Sequence, residues 1–168
     1  IDVTPDLGHA LSVRGLAREA AIAHGVSYTD RYRMSLPEPS QGGHPIELLT
    51  DRCSAFTALT IDGVDPHAPS PKHVTDRLQA AGVRAISLAV DVTNYVMLES
   101  GQPLHAYDAA KLDGPIRVRM AEQGETLTTL DGHVRKLDVD DMLITDDRGP
   151  IGLAGVMGGE DTEISEST

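Results

Sequence analysis

Residues 91–108 read DVTNYVMLESGQPLHAYD and bring together side chains of types that do chemistry. His105 is the candidate general acid or base, because a neutral imidazole accepts a proton near pH 7. Alone it carries little weight: the chain has seven histidines, and one set beside Leu104 and Tyr107 is more often a packed or surface ring than a catalyst. Asp91, Thr93 and Asn94 are expected where a strand stops and a helix starts. There a side-chain oxygen of Asp91 or Thr93 can satisfy one of the free helical amides. That leaves the Asn94 carboxamide, with donors and an acceptor, to hold a substrate carbonyl.

A second group of residues follows in GLAGVMGGED, where Gly152, Gly155, Gly158 and Gly159 fall within eight positions ahead of Glu160. No Lys follows these glycines and the G-x-G-x-x-G spacing is missing, so neither a P-loop nor a dinucleotide fingerprint is present. Their expected use is close backbone approach or positive φ around a pocket. Gly132, in the hairpin signal TLDG, is a further backbone donor for such a pocket. The chain has no G-x-S-x-G elbow, no H-E-x-x-H and no cysteine paired with a nearby histidine. A covalent nucleophile and a bound metal therefore have no sequence support, and water is the nucleophile to expect in any hydrolysis. Asp138, Asp140, Asp141, Asp146 and Asp147 read as solvated turn residues, since like charges this close repel without a cation.

The elements that must position these groups can be read from periodicity and punctuation. Residue 1 and Val3 begin extended, and Ser12 caps a helix that Gly25 stops. From Tyr28 to Gly43 the periodicity lapses, and LPEPSQGGHP has linker composition. Residues 53–62 alternate as a strand with two largely apolar faces. Ser70-Pro71 starts a helix that carries Val74, Leu78 and Ala81 and closes at Gly82. Ile86, Leu88 and Val90 form the next strand, which delivers Asp91 at its end. Strands follow at 116–120, 127–130 and 134–137 around the Asp131-Gly132 hairpin, at 142–145, and from Ile151 to Val156. Two helices among about seven short strands predict an α+β fold with mixed or antiparallel sheets and flanking helices, preceded by a short helical segment of a neighbouring domain.

Composition narrows the function classes. The formal net charge is −12, and residues 102–168 hold six Lys and Arg against fourteen Asp and Glu, so a free-standing electrostatic binder of nucleic acid is excluded. With one Phe and no Trp, the core must be Ala, Val, Leu and Ile. Cys53 is the only cysteine, which rules out an intrachain disulfide framework and fits a cytoplasmic origin. No apolar run is long enough to span a bilayer, and no membrane role is expected. A first residue that is not Met and the terminal ISEST read as the ends of a piece cut from a longer protein.

Three stretches carry a resemblance to a known family: DVTP…LSVRGLARE near the start, DVTN…PLHA at the centre and GLAGVMGGED near the end. Together they cover most of the chain, which resembles the editing domain of the beta subunit of bacterial phenylalanyl-tRNA synthetase and the segment just ahead of it. The family commonly has Asn-Arg at Asp6-Leu7, an Arg near Ala55, and an apolar or Trp pair at Lys72-His73. The resemblance implies three segments: residues 1–30 as the end of a helical domain, 31–46 as a linker, and 47–168 as the editing domain.

It also implies site residues. His105 of the PLHA motif lines the hydrolytic pocket, Thr93 and Asn94 of DVTN bind substrate, Glu160 recognises the phenolic hydroxyl of tyrosine, and Ala154 helps to define the pocket beside Gly132. The implied activity is hydrolysis of Tyr-tRNA(Phe) within phenylalanine–tRNA ligase. The implied partners are the tyrosine-bearing 3′ end of tRNA(Phe) and the synthetase alpha subunit in an alpha2beta2 heterotetramer. No cofactor is expected in this chain; ATP and magnesium are implied for the whole synthetase. The rival reading is a non-catalytic tRNA- or amino-acid-binding or scaffolding module of the same enzyme.

Overall fold

The computed structural model describes residues 2–33, 35 and 42–168. The extended start expected at residue 1 and most of the linker stretch, residues 36–41, lie outside the described residues. The chain forms two compact units, one from Ile1–Pro39 with His67–His105 and the other from Ser40–Pro66 with Ala106–Thr168. All three α-helices among the described residues belong to the first unit and all the strands to the second, so the fold is α+β.

In the first unit, α1 (Val13–His24) starts as expected. The Ser12 hydroxyl accepts a hydrogen bond from the Gly15 amide at 3.0 Å, and Gly25 adopts the left-handed φ of +63° that ends the helix. Helix α2 (Lys72–Ala80) buries Val74 and Leu78. Ser70 does not cap it. Its hydroxyl instead donates to the Asp91 carboxylate at 2.5 Å, and Pro71 stands at the cap position without a side-chain bond.

The strand expected at 86–90 is the beginning of α3 (Leu88–Ser100), so Asp91, Thr93 and Asn94 lie inside a helix rather than at a strand-to-helix junction. Ile86 and Val90 are four apart and Leu88 lies between them, so a short apolar run of this kind satisfies either period. What decides is Asp91. Its carboxylate, 2% exposed, accepts both the Ser70 hydroxyl and the Ile86 amide at 2.8 Å, which pins the chain two residues ahead of the helix. Gly101, with φ +78°, ends the helix by donating to Met97 O at 2.8 Å.

The second unit is built on a five-stranded sheet in the order β1 (Ile46–Leu48), β2 (Ile116–Met120), β5 (Met142–Asp146), β6 (Gly149–Leu153), β7 (Met157–Gly158). Strand β1 runs parallel to β2, and the other pairs are antiparallel. The expected hairpin is present as β3 (Thr126–Thr128) and β4 (Val134–Lys136). Because successive strand residues face opposite sides, Ile116, Val118, Ile144 and Ile151 gather in one cluster, and Leu143 joins Ala121, Leu127 and Leu137 in another. Both are aliphatic, as the composition requires.

The strand expected at 53–62 does not form. The place beside β2 is taken by β1, so residues 53–62 have no ladder to join, and alternation alone cannot make a strand. Cys53 and Phe56 pack on the first cluster, while Leu59 remains 81% exposed.

Candidate functional site

Six residues were singled out by sequence, and they divide between the units: Thr93, Asn94 and His105 in the first, Gly132, Ala154 and Glu160 in the second. Thr93 and Asn94 are half-buried on α3. The Thr93 hydroxyl donates to Val90 O at 2.8 Å, a back-bond to the preceding turn that uses its only proton. Only its lone pairs remain to meet a ligand. Among the described residues the Asn94 carboxamide has no hydrogen-bond partner, so both its donors and its acceptor are available. Neither residue caps the helix. His105 is exposed on the segment that leaves Gly101.

In the second unit the glycine run does two things that glycine alone does cheaply. Gly155 takes a left-handed φ of +71° in the turn between β6 and β7. Gly159 permits a close approach, since a Cβ there would lie 2.9 Å from Ile151 O and 3.0 Å from Leu127 Cδ1. The segment it belongs to is bonded on both sides. Gly159 N donates to Ile151 O at 2.8 Å on the β6 side, whereas Leu130 N donates to Gly158 O at 3.1 Å and Glu160 N to Thr128 O at 3.0 Å on the hairpin side. Glu160 itself is exposed. Its carboxylate thus projects from a backbone with almost no freedom to slide.

Gly132 sits at the tip of the same hairpin with φ +75°. Its amide is spent on the turn, donating to Thr129 O at 2.8 Å, so what this position offers a ligand is an open surface and a carbonyl. Thr129 in turn pairs with Gly159, which brings the Gly132 turn and the segment that carries Glu160 into one hydrogen-bonded assembly. Ala154 follows β6, donates to Met142 O at 2.9 Å and packs against the first aliphatic cluster. Tyr107 packs there too. Its hydroxyl lies 3.4 Å from where a Cβ on Gly152 would be, and burial raises its pKa to about 12, so the phenol stays neutral.

A cleft of about 230 Å³ opens beside this assembly, with Thr126, Thr128, Arg148, Gly159 and Asp161 on its walls. The residues on either side of Glu160 therefore both line it. Asp146 also reaches the cleft, and the expectation that it is a solvated turn residue is overturned: it is 4% exposed. Its oxygens accept from the Asp113 amide at 3.1 Å, the Arg148 amide at 2.9 Å and the Arg148 guanidinium at 3.1 Å. Burial by itself raises the Asp146 pKa, but these three donors outweigh it and hold the carboxyl below its ordinary value. Asp138, Asp140 and Asp147 are exposed as expected.

Among the described residues no group of three His, Cys, Asp or Glu side chains is placed to hold a metal ion, and no helix is long and apolar enough to cross a membrane. Sequence reasoning missed Asp91 as a buried anchor and Thr129, Asp131 and Arg135 as a connected group. The four-residue spacing of Asp131, in the hairpin loop, and Arg135, on β4, was the available signal for the latter.

The chain matches the B3/4 domain family over residues 52–168. It is 59% identical to the phenylalanine–tRNA ligase beta subunit of Streptomyces avermitilis over 99% of its own length. It is 56% and 53% identical over its whole length to the beta subunits of Thermobifida fusca and Cutibacterium acnes. In each case it spans 20% of the relative, about a fifth of those polypeptides.

Proposed function

Because this chain belongs to the B3/4 domain family, in the form carried by bacterial phenylalanine–tRNA ligase beta subunits, we propose that it hydrolyses tRNA(Phe) mischarged with tyrosine. The need for such an activity follows from energetics. A pocket shaped for phenylalanine rejects an isostere that merely adds a hydroxyl by only roughly 10²-fold, so a second sieve must use the hydroxyl positively.

The observation that carries the reading is the exposed Glu160 carboxylate on a backbone bonded to both neighbours. A fixed carboxylate that accepts a hydrogen bond from the tyrosine phenol rewards tyrosine. Phenylalanine would desolvate the same acceptor without pairing it, at a cost of about 1–3 kcal/mol or more for a charged group. Ala154 and Gly132 keep the surroundings small. By the family resemblance, Asn94 and Thr93 are substrate-binding residues and His105 orients or deprotonates the attacking water. The water oxygen adds to the ester carbonyl, and the terminal ribose hydroxyl leaves with a proton.

In this reading residues 47–168 are the editing domain, 1–30 end a preceding helical domain and 31–46 link them. The tRNA, the alpha subunit of an alpha2beta2 assembly, and the ATP and magnesium of the synthetic reaction are met by the whole ligase in the cytoplasm. With a net charge of −12, this chain relies on the rest of that enzyme for phosphate contacts.

The deciding experiment follows deacylation of preformed Tyr-tRNA(Phe) and Phe-tRNA(Phe) by the intact parent enzyme, wild type and Glu160→Ala. Selective loss of tyrosine hydrolysis is expected, and equal, unchanged hydrolysis in both proteins would overturn the assignment. Tyr-tRNA(Phe) binding without turnover by the wild type would favour a non-catalytic binding module instead. His105→Ala should slow hydrolysis of Tyr-tRNA(Phe); an unchanged rate would remove His105 from the chemistry.

A further inference from the structure

Thr129 is fully buried, yet it carries a hydroxyl with three hydrogen-bonding neighbours. Its Oγ1 lies 2.5 Å from Asp131 Oδ1, 3.0 Å from Arg135 Nε and 3.2 Å from His133 O. A hydroxyl has one proton. The shortest contact takes it, so Thr129 donates to Asp131 and accepts from Arg135, while the Arg135 guanidinium closes the ring by donating to Asp131 Oδ2 at 2.6 Å. The Asp131 carboxyl is held below its ordinary pKa, chiefly by the Thr129 hydroxyl. The backbone of Thr129 is equally committed. Its amide donates to His133 O at 3.0 Å, its carbonyl accepts the Gly132 amide at 2.8 Å, and it pairs with Gly159 across the ladder.

One buried residue is therefore shared by the Gly132 turn and the segment that carries Glu160. Thr128 O, directly before it, receives the Glu160 amide, and Leu130 N, directly after it, donates to Gly158 O. Any twist of the hairpin at Thr129 moves the acceptor to which Glu160 is tied.

We propose that Thr129, locked by Asp131 and Arg135, is the positioning residue that sets the Glu160 carboxylate where it reads the substrate hydroxyl. This rests on the role of Glu160 proposed above, and Thr129 itself touches no substrate. A valine at this position keeps the shape and removes the hydroxyl, so Asp131 loses its buried donor and Arg135 its acceptor. Serine restores both.

The test uses the full-length polypeptide that carries this chain, in its native assembly, with Thr129→Val, Thr129→Ser, Glu160→Ala and the Val/Ala double variant. The first readout is the ratio of kcat/KM for deacylation of Tyr-tRNA(Phe) over Phe-tRNA(Phe). Thr129→Val should lower that ratio by about tenfold, the equivalent of one well-placed hydrogen bond. Thr129→Ser should restore it to within about twofold, and the double variant should be no less selective than Glu160→Ala alone. The second readout is hydrogen exchange at the Glu160 and Gly159 amides, which should quicken in Thr129→Val and not in Thr129→Ser. Independent, multiplying effects of Thr129→Val and Glu160→Ala would overturn the proposal. So would an unchanged ratio in Thr129→Val while Glu160→Ala lowers it. Should Glu160→Ala itself leave the ratio unchanged, the hydroxyl-reading role falls, and exchange alone judges the positioning: faster exchange at Glu160 in Thr129→Val upholds it, unchanged exchange refutes it.

Discussion

Replacing Gly159 with alanine should destabilise the second unit by roughly 2 kcal/mol, within the range for overpacking a close contact. The added Cβ would lie 2.9 Å from Ile151 O, 3.1 Å from Ile151 C and 3.0 Å from Leu127 Cδ1. Leu127 can turn its methyl aside, although it is 5% exposed and already packed in the second cluster. The Ile151 carbonyl cannot, because it belongs to β6 and accepts the Gly159 amide at 2.8 Å. Relief therefore requires the strand to move away by a few tenths of an ångström, which weakens a hydrogen bond with a net worth of about 1 kcal/mol and loosens the packing beneath it. Against this, the lower entropy of the unfolded alanine chain returns about 0.4–1 kcal/mol.

Two neighbouring glycines calibrate the result. At Gly152 the nearest atom to an added Cβ is the Tyr107 hydroxyl at 3.4 Å, an ordinary contact, so Gly152→Ala should stay within about 0.5 kcal/mol of wild type. At Gly132 nothing lies within 4 Å, but φ is +75°, so Gly132→Ala should cost about 1–2 kcal/mol from backbone strain alone. Urea unfolding of the three variants measures the order Gly159, Gly132, Gly152. If Gly159→Ala were no less stable than Gly152→Ala, the crowding between residue 159 and β6 would not exist, and the rigid seat argued for Glu160 would go with it.

Asp91→Ala strands the Ile86 amide and the Ser70 hydroxyl beneath α3 and should cost about 3 kcal/mol with loss of helical circular dichroism, whereas Ser70→Ala should cost about 1 kcal/mol. Asp146 makes stability depend on pH in one direction. Its folded pKa is depressed, so its stabilising contribution is present above the unfolded value near 3.9 and is lost as pH falls through the lower folded value. The stability gap between wild type and Asp146→Asn should therefore be constant from about pH 7 to pH 5 and close below about pH 4. A gap that widened on acidification would mean that burial, rather than the Asp113 and Arg148 donors, governs this carboxyl.

Local signals were legible wherever one short stretch of chain settles its own conformation. The Ser12 cap and the Gly25 stop are of this kind, since a hydroxyl three residues from its amide and a residue free of Cβ act within a turn. So is the Asp131-Gly132 hairpin, where the turn geometry imposes the register of Thr126 with Lys136. The family motifs were legible too, because they are strings of residue types. The segment 53–62 and the run from Ile86 to Val90 were misread for a common reason: apolar alternation states what a strand needs, not whether a partner strand stands beside it.

By itself the sequence determined an aliphatic, acidic α+β chain, its capped first helix, its hairpin and its membership of the B3/4 family, because composition, caps, turns and motifs are properties of neighbours along the chain. Only the tertiary structure decided that Asp91 anchors a helix instead of ending a strand, since its partner Ser70 lies 21 residues away. It alone decided that Asp146 is buried, since Asp113 lies 33 residues earlier. Likewise the meeting of Thr128 and Thr129 with Gly159 and Glu160 is a ladder closed between distant segments, held by Gly159's missing side chain. Hydrogen bonds of that reach exist only after the chain has folded, and no spacing of residue types along the sequence encodes their distances.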